Sequence, residues 1–273
     1  MHILILGTAA AEGIPGLFCD CRVCTIAREV GGRECRSRTS VMINDDLKID
    51  FPPDTFYHTV RYGLNLRNLR LLLFTHIHED HFSVPELHYS SNSFVSKPLE
   101  NTITVAGSAQ VITKLSKQLD LGHVPYNLQT MEPFIPYHFG RYTVTPIIAH
   151  HAPGLIAYNY IIEESSHMLL YGCDTGWYDE RTWCYLEKEQ LDGVMAECTK
   201  GRIVGCYDGH MGVDEVIRLK SRLENSGAIT AGTQVVTVSL LSFGWNDPIR
   251  TGAGTVKTRN CSGLQWSPVN DLS

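Results

Sequence analysis

At 273 residues, with 43% hydrophobic and 19% charged residues, the chain is long enough to bury a substantial core in one large domain or two small ones. A formal net charge of -6 argues against a broad nucleic-acid-binding surface, though not against a small phosphate-binding pocket. No apolar run is long enough to cross a bilayer, and the opening MHILILGTAAAEG lacks the basic start and long apolar stretch of a secretory leader. In such a chain the nine cysteines are expected to stay reduced in the cytoplasm, some of them binding metal.

HILILG reads as a buried strand ending at Gly7. SVMIND and LKIDF read as two strands joined by the turn residues Asn44, Asp45 and Asp46. LRLLLFT is a continuous apolar strand, and Ser83 with Pro85 marks a helix start soon after it. TITVAG then reads as strand and SAQVITKLSKQL as helix. YTVTPIIAH, AYNYIIEE and HMLLYGCD form three more strands, DERTWCYLEKEQ a helix and LDGVMAE a strand. GVDEVIRLKSRLENSG is an amphipathic helix closed by Gly227, and TQVVTV a last strand. There is no fixed-period repeat and no linker. Strands in both halves with helices between them predict an α/β domain in which sheets are sandwiched by helix layers.

Chemistry concentrates directly after the LRLLLFT strand, in FTHIHEDHF. His76, His78, Asp80 and His81 put four donors on one tight loop, and imidazole with carboxylate suits zinc, manganese or iron(II). In extended chain His76 and His78 share a face with Asp80 following, while a turn carries His81 to a second cation beside the first. Later strands end at IIAHHAPGL, with His150 and His151 as candidates, and at YGCDTGW, where Asp174 is a ligand or a helix cap. Near the start, Cys19, Cys21 and Cys24 place three thiols within six residues, right for wrapping one zinc, with a redox cluster or small buried residues as the other readings.

Thr75 to His81 matches T-H-x-H-x-D-H, and the chain resembles the metallo-β-lactamase fold superfamily. The glycine-rich turn, CxCxxC and Ala27-Arg28 narrow the resemblance to the branch of the phosphonate-pathway cyclic phosphodiesterase (PhnP-like). The pyrroloquinoline-quinone biosynthesis B protein has a similar start. The resemblance spans Gly7 to about Val236. It implies an αββα sandwich with a two-metal site (zinc or manganese) at the strand ends. His76, His78 and His151 would hold one metal, and Asp80 and His81 the other, with Asp174 bridging. His151 is favoured over His150 by its spacing to Tyr158. Cys19, Cys21 and Cys24 would hold a structural zinc. Asp80 and His210, in DGHMGVDE, are the catalytic candidates; taken alone, His210 reads equally as a helix-start histidine.

The implied function is hydrolysis of a small, cyclic phosphodiester by water activated between two metals. The partner is a small molecule, with no nucleic acid and no membrane, and a homodimer is implied only by the resemblance. The superfamily also hydrolyses thioesters, lactones and RNA ends, which the metal motif alone does not separate. The alternatives are a catalytically impaired metal-binding protein and a cofactor-biosynthesis protein similar to the quinone-pathway member.

The resemblance breaks at the C-terminus. The branch expects T-H-x-x-H after the last strand, one histidine for the active site and one for the structural zinc. This chain has no histidine after His210 and reads TVSLLSFGWND at that point. Written with TCA for Ser239 and Ser242 and permitted codons between, a one-base shift reads His-Ser-Ser-His-Leu-Asp-Gly-Met-Ile. The domain is therefore taken as residues 1–237, and 238–273 as an atypical tail with two readings: a frameshift, or a diverged C-terminus in which water or another side chain completes the second metal.

Overall fold

The structure is a computed structural model that describes residues 1–203 and 207–242, together with the backbone of 265–267. Two sheets face each other. The first has the order β13-β1-β2-β3-β4-β5-β6, from β1 (His2–Gly7), β2 (Ser40–Ile43), β3 (Leu47–Ile49), β4 (Leu71–Leu73), β5 (Ile103–Gly107), β6 (Tyr126–Thr130) and β13 (Gln265–Ser267). The second has the order β12-β11-β10-β9-β8-β7, from β7 (Tyr137–Phe139), β8 (Tyr142–Ile148), β9 (Tyr158–Glu164), β10 (His167–Gly172), β11 (Gly193–Glu197) and β12 (Gln234–Val238).

Between the sheets lies a core of Val41, Ile43, Leu71, Val144, Ile162 and Tyr171 with their neighbours, all buried. The outer face of the first sheet is covered by α4 (Ala109–Gln118), which brings Val111 and Leu115 against Leu72 and Val105. The outer face of the second is covered by α5 (Glu180–Leu186) and α6 (Val213–Ser226), whose Trp183, Leu186, Leu219 and Leu223 pack on Leu170 and Val194. Helix, sheet, sheet, helix is the αββα sandwich. No helix among the described residues is long and apolar enough to cross a membrane.

Local chemistry explains the boundaries. Ser108 caps α4 by accepting the Val111 N–H, and Asp179 caps α5 by accepting that of Thr182. Gly227, at φ 81°, ends α6 in the left-handed conformation a side chain resists. The helix predicted at Ser83–Pro85 is one turn, α3 (Val84–Leu87). The sequence gives no signal for α1 (Arg22–Val30), α2 (Thr55–Tyr62), β6 or β7, and β12, expected as the last strand, is followed by β13, which pairs with β1. Residues 239–242 continue from β12 back to the N-terminal loop, where Leu240 donates to the Thr8 carbonyl and accepts from Ala10. Most of the tail read as frameshifted or diverged, 243–264 and 268–273, lies outside the described residues.

Candidate metal centre and active site

The strand ends of both sheets open onto one cluster. β4 runs out at Leu73 and delivers His76, His78, Asp80 and His81 on the loop that follows. From the other sheet, β8 leads to His151 and β10 to Asp174, which sits at φ 51°. One backbone and one side-chain hydrogen bond lock the two sheets here: Tyr158 N–H donates to Thr75 O at 2.9 Å and the Tyr160 hydroxyl to Phe74 O at 2.6 Å.

One ligand atom from each of His76, His78 and His151 lies within 4.8 Å of the other two, and the same holds for His76, His81 and Asp174. The imidazole centroids are 4.5 Å apart for His76 and His81 and 4.9 Å for His76 and His151. Asp80 Oδ2 lies 3.2 Å, and Asp174 Oδ2 2.9 Å, from His81 Nε2. Asp174 Oδ2 is also 3.6 Å from His76 Nε2, so this one oxygen lies between two imidazoles. His150 turns outward to Asp208 at 3.7 Å, and its side chain is 51% exposed.

The cluster fits cations. His76 Nε2 is buried with no hydrogen-bond partner, which costs about 1–3 kcal/mol unless something accepts its lone pair. Its other nitrogen is 2.9 Å from Thr75 Oγ1, whose hydroxyl is in turn anchored on Asp50. Burial would push His81 down, yet Asp174, Asp80 and Asp50 outweigh it and hold the imidazole well above its usual pKa. Asp174 is likewise held well below its usual range, burial being overcome chiefly by His81. Such a pocket demands positive charge, which a divalent ion supplies better than one proton. Nitrogens on one tetrahedral zinc stand about 3.4 Å apart at bond lengths of about 2.1 Å, within the spread of these donors.

Residues 52–231 match the family described as the Beta-lactamase superfamily domain. The chain belongs to that superfamily. Solved members of this superfamily fold show the same architecture at low identity. A diphosphatase of the PhnP family aligns with a TM-score of 0.70 at 16% identity, over 97% of this chain and 93% of its own. Zinc-bound PqqB from Methylobacterium extorquens aligns at 0.65 and 16%, over 89% and 90%. Human short-form tRNase Z aligns at 0.64 and 13%, over 88% and 92%. Among curated proteins, an octanoyltransferase of Porphyromonas gingivalis (strain ATCC BAA-308 / W83) is 34% identical over 85 residues, 30% of this chain. The match spans only 16% of the length of that relative.

Within the superfamily site, two carboxylates escaped sequence reading. Asp50, fully buried at φ 61°, accepts from Thr75 N–H at 2.8 Å and lies 2.7 Å from His81 Nδ1. It fixes the His81 ring so that Nε2 faces Asp80 and Asp174, as carboxylates behind metal-binding histidines do. Glu197, at the end of β11 and fully buried, accepts from the Met211 N–H and Thr199 Oγ1 and lies 3.4 Å from His210 Nδ1. Burial opposes a charge on His210, but Glu197 raises its pKa above the ordinary value. The His210 ring stands 4.8 Å from that of His151, at the edge of the cluster. Asp174, Glu197 and His210 offer donor atoms within 4.8 Å of one another. The only signal for either acid in the sequence was its place at the end of an apolar strand.

Cys19, Cys21 and Cys24 also converge, with Sγ atoms within 4.8 Å of one another. Cys21 is the N-cap of α1 and Cys24 lies in its first turn, so the i, i+3 spacing puts both on one face. Three thiols and no disulfide form a donor set suited to zinc.

Proposed function

We propose that the chain is a metal-dependent hydrolase of small phosphodiesters, a cyclic ribose phosphate being the substrate class that its cysteine signature favours. The observation that carries this reading is the convergence of His76, His78, His151, Asp80, His81 and Asp174 from two sheets, with His210 facing them and Glu197 behind it. Two divalent ions, zinc or manganese, supply Lewis acidity and an activated water when bound there.

The protein's own residues set the rest. Thr75 and Asp50 hold the His76 and His81 rings so that Nε2 of each faces Asp174. His151 is steered by Gly209, whose carbonyl lies 3.1 Å from Nδ1, leaving Nε2 toward His78. His210, whose basicity the nearby Glu197 raises against its burial, is placed to donate to a phosphoryl oxygen or to the departing alkoxide. Gly176 and Gly209 let the loops around the cluster close: a methyl at Gly176 would stand 1.8 Å from the Asp208 carbonyl oxygen, and one at Gly209 2.4 Å from that of His151.

The experiment is turnover of bis(p-nitrophenyl) phosphate and of 2′,3′-cyclic nucleotides by the metal-loaded chain and by His210→Ala. The expected result is hydrolysis by the parent and a loss of about 10²–10⁴-fold in kcat for the variant at unchanged metal content. A parent that holds both ions yet hydrolyses no phosphodiester refutes the reading.

A further inference from the structure

Two serines just beyond β12 stand against two separate donor clusters. Ser239 is 1% exposed, and its Oγ donates to Asp174 Oδ1 at 2.9 Å and lies 3.0 Å from Thr199 Oγ1. Ser242 is fully buried, and its Oγ lies 3.9 Å from Cys19 Sγ and within hydrogen-bond reach of the Cys21 and Cys24 thiols. Three thiols leave one face of a tetrahedron open, and Ser242 closes it. A neutral hydroxyl is a weak donor for zinc beside imidazole or thiolate.

The backbone adds an independent sign at the other position. Ser239 sits at φ 60°, a left-handed conformation in which histidine, asparagine and aspartate are enriched among non-glycine residues. The segment is pinned on both sides, through Leu240 to Thr8 and Ala10 and through Ser242 N–H to Glu12 Oε1 at 3.1 Å. These contacts hold both serine positions in place.

We propose that positions 239 and 242 are ligand positions of two distinct metal centres, each left one strong donor short by serine, and that histidine at both completes them. The site at 239 is the cluster on which the proposed hydrolase function rests; the site at 242 is separate from it.

The test is metal binding, read without turnover. The metal-free chain, Ser239→His, Ser242→His, the double variant and the two alanine variants are titrated with zinc against a competing chromophoric chelator. Cobalt(II) spectra then report thiolate coordination at the cysteine cluster. The expected result is that Ser242→His tightens the thiolate-bound ion by about tenfold or more and Ser239→His tightens an ion that shows no thiolate band, each leaving the other site unchanged. Alanine at either position shifts its ion by no more than a few-fold. Ser242→Cys, giving four thiols, replaces Ser242→His if that variant fails to fold as judged by circular dichroism. Equal affinities across the parent and the folded histidine and cysteine variants, or alanine losses as large as the histidine gains, overturn the proposal. If the donors tighten binding but no variant turns over phosphodiesters, the functional reading fails and this one stands.

Discussion

Lys48 is fully buried beside Asp50, the carboxylate that holds His81, its Nζ donating to Ser40 Oγ at 2.5 Å and to the Asp50 carbonyl at 2.6 Å. Burial pushes its pKa down to about 7 against the pull of Asp50 and Glu86. Between about 7 and the ordinary 10.5 the unfolded chain therefore holds a proton that the folded chain has released. That contribution to stability rises with pH across the window and is flat below it. Urea unfolding of the parent and Lys48→Met at fixed metal should show a smaller pH slope in the variant between these limits; an unchanged slope contradicts the assignment. Glu197 makes a second prediction. Glu197→Gln removes the charge that raises His210, so the alkaline limb of the kcat profile should move to lower pH while metal content stays constant. A lower rate with an unmoved limb would reduce Glu197 to a packing role. Neither Lys48 nor Glu197 was legible as functional in the sequence. Each lies in an apolar strand whose neighbours in space come from distant segments, whereas His76 to His81 announce themselves by local spacing.

Elements with a one-sided apolar stripe were the legible ones. In α6 the period and the closing Gly227 agree, and α5 and α6 share the Trp183 core. Trp183 is fully buried, and Arg222 stacks over its ring at 4.3 Å while pairing with Glu187 and Glu180. Trp183→Ala should cost about 3–5 kcal/mol in denaturant unfolding, with metal stoichiometry unchanged in the folded fraction. A loss below 1 kcal/mol would mean that the α5 layer does not hold this sheet. By contrast, α2 inverts the usual pattern: Thr55 and His58 are buried while Phe56 and Val60 are 71% and 67% exposed. Apolar periodicity therefore pointed to no helix there. β6 is a half-buried edge strand of mixed polarity, and β7, at the edge of the other sheet, is only three residues long. The apolar alternation that betrays interior strands is weak in both.

At the scale of the whole molecule, the sandwich turns separate strand ends into one site. The histidine loop comes from one sheet, and His151, Asp174 and Glu197 from the other, so no single segment contains the constellation. That is why the spacing H-x-H-x-D-H identified a metal loop, while the carboxylates behind it depended on the fold. The break at 239 and 242 was visible in the sequence as missing histidines; its meaning depends on where the strand end leads, to Asp174 and to the cysteines. Donors from both sheets share cations, which anomalous diffraction from crystals of the zinc-loaded chain would reveal. The expected result is a zinc-edge peak coordinated by His76, His78 and His151 beside Asp174. Ordered density for these side chains at full zinc load, with no anomalous peak among them, would contradict it.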